Sequence, residues 1–157
     1  MDEIKPGRSR VDNSPYAGAY LRPVPNLSGG GGLVTSLADM VALMRSLLPG
    51  GEMLLKPETI AQMMTNQLAD GVNIRLTTQG DVPGKGFGLG GSVTLSPSSI
   101  EPFNATGEFQ WGGIAGSHWW ISPRNNLAAV VMTQRVMAFW HPFSFEFKRL
   151  VYQAVVG

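Results

Sequence analysis

The spacing of apolar residues changes period along this chain, and each change marks an element. Between Thr35 and Leu48, the residues Leu37, Met40, Val41, Met44, Leu47 and Leu48 recur every three or four positions, which predicts one buried face of an α-helix. Ser36 ahead of the run and Asp39 in its first turn suit a helix N-terminus, and Pro49-Gly50-Gly51 stops it. A shorter helix is expected from Pro57, with Glu58 in its first turn and Ile60, Met63 and Met64 on one side, ending near Asn66. Past residue 70 the pattern becomes strand-like. The stretch Gly86-Phe-Gly-Leu-Gly-Gly-Ser-Val93 alternates glycine with larger residues and predicts a strand on which something packs very closely. Strands are also predicted over 109–113, 117–121 and 127–133, with turns at 113–116 and 123–126, forming an antiparallel meander. Helical spacing returns at Phe143, Phe147, Leu150, Val151 and Ala154. The fold class expected is α+β: an antiparallel sheet packed by the C-terminal helix and by the helices of residues 36–66. The methionine stripes read as core rather than as a cofactor site.

The first 26 residues carry Pro6, Pro15, Pro23 and Pro25, which leave little room for a regular helix, so 1–26 is expected to be an extended segment and 27–157 the domain proper. Ser28 is followed by four glycines, but no Gly-Lys-Ser or Gly-Lys-Thr comes after them, so a phosphate-binding loop is excluded and a turn is the simpler reading.

Composition removes whole classes of function. With no cysteine, disulfides, thiolate metal sites and cysteine nucleophiles are out, and two histidines make at most part of a metal site. No metal or cofactor is expected. Charged residues are 15% of the chain and the basic ones are scattered apart from Lys5, Arg8 and Arg10, which argues against nucleic acid as a partner. No apolar run approaches the roughly 18 residues of a membrane span, and Met-Asp-Glu-Ile-Lys-Pro-Gly lacks the core of a signal peptide. Cytoplasm and periplasm both stay open.

Candidate nucleophiles fare poorly. No serine has a lysine three residues on, no tyrosine has an asparagine two residues on, and no Gly-x-Ser-x-Gly elbow exists. Ser117 and His118 are adjacent, so in a strand they point to opposite faces. His118 is expected on a sheet face, exposed or against a neighbour, and His141 at a loop–helix junction, where it can serve as a partial cap. Glu101 and Glu108 form a possible carboxylate pair, but nothing fixes their separation, and solvated loops are the simpler reading. Trp111, Trp119, Trp120 and Trp140 read as sheet packing; alternation puts Trp111 and its neighbours on different faces, which leaves no single aromatic platform for a sugar.

Several pieces in order nevertheless resemble a known family. Gly29-Gly-Gly-Gly-Leu-Val-Thr-Ser-Leu-Ala-Asp39, Leu55-Lys-Pro-Glu-Thr-Ile-Ala-Gln-Met63, Gly86-Phe-Gly-Leu-Gly90, Trp111-Gly-Gly-x-x-Gly116, Ile121-Ser-Pro123 and Val130-Val-Met-Thr-Gln134 together are similar to the C-terminal half of the serine β-lactamase superfamily. The likeness is greatest to its family VIII esterase and penicillin-binding-protein-like members. It covers roughly residues 27 to 155. Trp111 and Gly113 match the Trp-x-Gly form of the family's third active-site box, in place of Lys-Thr-Gly. The resemblance implies acyl transfer through a serine, with a lysine and tyrosine moving protons, on a small-molecule ester or β-lactam. It implies a substrate wall made of Trp111, Gly112, Gly113 and Ile114, with an apolar Trp111 favouring neutral esters over penicillins. The serine, lysine and tyrosine of that scheme match no residue here, so no catalytic residue is expected in this chain and it should be inactive alone. The family's sheet continues beyond the strand matching 127–133, so that edge should be bare, and self-association through Leu127–Thr133 is expected. Two alternatives remain: a non-catalytic binding or scaffold domain of the same fold, or one half of a split enzyme.

Overall fold

The computed structural model describes residues 23, 30, 34–76, 80–114, 116–135 and 141–156. The chain divides into two units, Met1–Ser36 and Leu37–Gly157. In the first, Pro23 and Gly30 are exposed, as are residues 34–36, which have no regular structure. The extended segment expected over 1–26 lies outside the described residues except at Pro23, and so does the glycine run except at Gly30.

The second unit holds α1 (Leu37–Ser46), α2 (Pro57–Met63), β1 (Arg75–Leu76), β2 (Gly80–Asp81), β3 (Lys85–Phe87), β4 (Ser92–Thr94), β5 (Phe109–Gly112), β6 (His118–Ser122), β7 (Leu127–Val131) and α3 (Pro142–Val156): the helices and β5 to β7 are the expected elements with shifted ends, whereas the short β1 and β2 were not expected. Pro57 opens α2, where its missing N–H costs nothing. Phe143 N–H donates to Nδ1 of His141 at 3.3 Å, so His141 does cap α3. A short 3₁₀ turn, Pro123–Asn125, joins β6 to β7, and Asn126 closes it in the left-handed region at φ 46°.

Strands β3 to β7 form an antiparallel meander in sequence order, and β1 pairs with β2 in a separate hairpin. Register decides which side chains share a face. Phe109 sits opposite Ile121 and Trp111 opposite Trp119, while Gln110 sits opposite Trp120 and Gly112 opposite His118. With side chains alternating along each strand, the first set faces one way and the second the other. Trp111 and Trp119 thus share a face, and Trp120 takes the opposite one.

Helices α1 and α2 cover the first face: Met44, Leu47, Leu48 and Ile121 are buried together, with Met40, Ile60, Met63, Met64, Trp119 and Val130 packed around them. The methionine stripe is core, as its spacing predicts. Helix α3 covers the second face, where Trp120, Leu127, Tyr152 and Ala105 are buried against Phe147 and Val151. Phe109 is fully buried, and burying a side chain of that kind contributes about 1.5–3 kcal/mol.

The stretch 86–93 is a hairpin rather than one strand. Gly90, at φ +94°, reverses the chain between β3 and β4. The close packing expected there is present. A Cβ on Gly86 would lie 2.2 Å from Oδ1 of Asn66, and one on Gly88 would lie 2.2 Å from the carbonyl oxygen of Met63. These glycines let the loop after α2 lie directly on β3, where Gln67 N–H donates to the Phe87 carbonyl at 2.8 Å.

Candidate functional site

Strand β5 carries the Trp111-Gly112-Gly113 box, and its two edges differ. Along β6 it is paired through Gly112, whereas its pairing with β4 ends at Gln110. Beyond Gly112 the chain turns tightly: Gly113 N–H donates to the Ser117 carbonyl and Gly116 N–H to the Gly113 carbonyl, both at 2.9 Å. Gly113 N–H therefore points toward β6. In an antiparallel ladder the backbone groups of successive residues point to opposite sides, so those of Gly112 point to the side from which β4 has withdrawn. The Trp111 indole stands at this open edge, about one-third exposed, edge-on to Phe87 with ring centroids 5.3 Å apart.

Trp111 and Gly112 line the rim of a pocket of about 410 Å³. Ile74, Val82, Ile100 and Phe145 form apolar walls, while Lys85, Glu101, Gln110 and His118 supply the polar surface. Of the four residues expected to form the substrate wall, the structure brings Trp111 and Gly112 to this pocket. Gly113 lies in the turn beside it, and Ile114 stands 70% exposed at the turn's tip, away from the lining.

Beneath the pocket lies a buried ionic network. Lys85 Nζ donates to Thr94 Oγ1 at 2.8 Å and pairs with Glu101. Lys148, reaching in from α3, pairs with Glu108, lies 3.6 Å from Glu101 and donates to Gln110 Oε1 at 3.2 Å. Tyr152 donates its hydroxyl to Glu108 Oε2 at 2.7 Å. Ser98 donates both its N–H and its hydroxyl to Glu101 Oε2 at 3.0 Å. Two lysines thus face two glutamates, and the site carries no net charge. Glu101 and Glu108 are accordingly not solvated loop carboxylates: their side chains are 4% and 0% exposed. Their separation in sequence hid a common partner on a helix some forty residues away.

The environment moves each titrating group in an identifiable direction. Burial alone would raise Glu101, but the Lys85 and Lys148 charges and the Ser98 N–H outweigh it and hold the carboxyl down to about 2. Burial pushes Glu108 up despite Lys148 and Tyr152. Burial lowers Lys85, against the pull of Glu101. Burial, with Lys148 and Lys85 nearby, drives His118 down to about 3. Tyr152 is raised by burial and then by Glu108.

His118 is buried against Trp120, ring centroids 5.3 Å apart, and its Nε2 lies 3.1 Å from Gln110 Oε1. Lys148 can only donate, which identifies the Gln110 atom it meets as the oxygen; the same oxygen can only accept, so Nε2 of His118 carries the proton. Nδ1 is left as a lone-pair acceptor, buried and without a partner among the described residues. Sequence reasoning missed Lys85, Thr94, Gln110 and Lys148. The signals were a polar parity through Glu108 and Gln110 in an otherwise apolar strand, and Ser144, Lys148 and Tyr152 four residues apart on one helical face. All three are buried. Among the described residues no group of three or more His, Asp or Glu side chains is placed to hold a metal ion, and no helix is long and apolar enough to cross a membrane.

Comparison with known proteins bears on this geometry. A family model described as Beta-lactamase matches residues 2–139. An acyltransferase, calJ, of Penicillium decumbens is 32% identical over 121 residues, covering 68% of this chain and 28% of its own. A lovastatin esterase of Penicillium rubens is 31% identical over 123 residues, covering 69% of this chain and 30% of its own. The chain thus spans less than a third of the length of either relative. A solved β-lactamase from Mycobacterium bovis superposes with a TM-score of 0.63 at 24% identity, over 77% of this chain and 44% of that one, which shows the shared fold. With a family match across most of the sequence, relatives above 30% identity over two-thirds of it, and the same α+β architecture, the chain belongs to the beta-lactamase family.

Proposed function

We propose that this chain supplies one wall of the substrate cleft of a serine-dependent acyl hydrolase and is inactive alone, the nucleophile and its lysine and tyrosine lying outside these 157 residues. The observation that carries this reading is the open edge of β5 at Trp111 and Gly112. There a small residue whose backbone groups are paired with no strand among the described residues lets an ester lie along the strand and lets a backbone N–H polarise its carbonyl. The indole of Trp111 offers an apolar surface where a cation would favour a substrate carboxylate, so a neutral ester fits better than a β-lactam. The relatives' names, an esterase and an acyltransferase, are two outcomes of one acyl-transfer chemistry.

Intact-mass analysis after incubation with a serine-reactive fluorophosphonate tests the absence of a nucleophile. The expected result is no adduct, together with no turnover of a short-chain p-nitrophenyl ester or a chromogenic cephalosporin above that of heat-denatured protein. A stoichiometric adduct on any serine overturns it.

Self-association is part of the same proposal. Among the described residues β7 ends the sheet, leaving one row of backbone groups at its outer edge for a second strand, with Met132 42% exposed just beyond it. Light scattering at micromolar concentration should give a dimer mass; a monomer would sink the idea.

A further inference from the structure

The β1–β2 hairpin stands apart from the five-stranded sheet and takes no part in the Gly112 edge. It is held beside β3: Ile74 N–H donates to the Lys85 carbonyl at 2.8 Å, and Gly84 N–H donates to Asn73 Oδ1 at 3.0 Å. Alternation gives the hairpin two unlike sides. Arg75 and Asp81 sit opposite one another, exposed, with their side chains 3.6 Å apart. Ile74 and Leu76 flank Arg75 and turn the other way, and so does Val82, whose N–H donates to the Ile74 carbonyl at 2.9 Å. These three side chains are half-buried and line the same pocket as Trp111 and Gly112. Phe145 of α3 and Ile100 of the loop between β4 and β5 extend the apolar wall, and about 410 Å³ falls within the range of small-molecule sites. Apolar side chains turned toward a pocket are only partly removed from water, and an apolar ligand completes their burial. The polar groups of the lining are already engaged. Lys85 pairs with Glu101 and donates to Thr94, Ser98 gives both its donors to Glu101, and Gln110 Oε1 accepts from Lys148. A charged group entering there meets no unopposed counter-charge among the described residues and has to part Lys85 from Glu101.

We propose that the β1–β2 hairpin is a specificity element: with Ile100 and Phe145 it forms a subsite for an uncharged aliphatic arm of an ester whose carbonyl lies at the Gly112 edge. The subsite selects by the length of that arm and rejects a charge at its far end. The proposal rests on the acyl-hydrolase reading for what the arm belongs to. Binding in the pocket needs no turnover, so it can fail while that reading stands, and the converse. Ile74, Leu76 and Val82 are specificity-determining residues here and touch no reacting atom.

The test uses this chain and three ketones that mimic an ester carbonyl without being hydrolysed: pentan-2-one, heptan-2-one and 6-oxoheptanoate, titrated by heteronuclear NMR. Each buried methylene strengthens binding about fourfold, so heptan-2-one should bind roughly fifteenfold tighter than pentan-2-one. The oxo-acid carries a carboxylate where heptan-2-one ends in a methyl group, and it should bind about tenfold or more weaker than heptan-2-one. Methyl signals of Ile74, Leu76, Val82 and Ile100 should move with heptan-2-one. The Gly112 amide signal reports the carbonyl edge separately, so a failure of the edge and a failure of the subsite are told apart. Ile74→Ala should weaken heptan-2-one about fivefold, and Ile100→Trp, at a position 59% exposed, should weaken both ketones by filling the mouth of the pocket. Equal affinities for the two ketones, an oxo-acid that binds as well as heptan-2-one, or a length preference unchanged in Ile74→Ala would each overturn the proposal. If Ile74→Ala fails to fold, the methyl signals of the unaltered chain decide: heptan-2-one that leaves Ile74 and Val82 unmoved refutes it.

Discussion

Replacing Lys148 by methionine is expected to lower the unfolding free energy by about 3–5 kcal/mol, the usual cost of removing one partner from a buried ion pair. The side chain of Lys148 is 1% exposed and that of Glu108 fully buried. Without the ammonium, the Glu108 carboxylate keeps only the Tyr152 hydroxyl among its described hydrogen-bond partners, and Gln110 Oε1 loses a donor. Glu101 is less affected because Lys85 still faces it. Methionine preserves most of the stem volume, so the loss reports the charge rather than a cavity. The midpoint of thermal unfolding should fall by roughly 10 °C for a domain of this size. The double variant Lys148→Met/Glu108→Leu should recover most of the loss, since an apolar pair in a buried site often matches an ion pair. If the single variant unfolds within a few degrees of the unaltered chain, the network contributes little and the geometry has been misjudged.

A second large effect should appear in acid. The folded-state pKa of His118 is lowered to about 3 from an ordinary 6.5. Between those values the unfolded chain binds a proton that the folded chain refuses, so stability is full above about 6.5 and is lost as pH falls toward 3, by about 1.4 kcal/mol per pH unit. Glu101 acts in the same direction at lower pH: its carboxyl is held to about 2 from an ordinary 4.5, so its contribution is present above 4.5 and lost as pH falls through 2. Glu108, pushed up by burial, has the opposite sign, with stability falling as pH rises from 4.5 toward its folded value. From 4.5 to 6.5 His118 and Glu108 therefore act with opposite signs, and the His118 share is the difference between the unaltered chain and His118→Phe. Urea unfolding at half-unit steps should show the unaltered chain losing more stability than His118→Phe as pH falls from 6.5 to 4.5. Parallel slopes for the two proteins would mean that the ring takes up its proton without cost and is not held in a dry site.

The two predictions bear on the proposed function because both depend on the polar surface under the candidate subsite. An ion network that is paired, and a histidine that stays neutral, leave a pocket with no unpaired charge among the described residues that line it. That environment supports the neutral-ester reading proposed above. Trp111 lines the same pocket beside Gly112.

What the sequence determined by itself was local and periodic. The α1 stripe from Leu37 to Leu48, the helix opened by Pro57, the three strands of the second half and the α3 face all follow from spacing, because each such segment has one way to bury its apolar side. The Trp111-Gly112-Gly113 box was legible too, since its glycines and turn lie within a few residues of one another. Tertiary structure decided what depends on distant partners. Whether 86–93 was one strand or two turned on Gly90 reversing the chain so that β4 pairs with both β3 and β5. Whether Glu101 and Glu108 were solvated or buried turned on Lys85 and Lys148, the latter 40 residues beyond Glu108 on another element. Charge pairing falls off over a few ångströms and carries no period along the chain, so spacing cannot announce it. Only the register of β5 against β6, and the laying of α3 across that face, brings these lysines and glutamates beneath His118 and gives the pocket its chemistry.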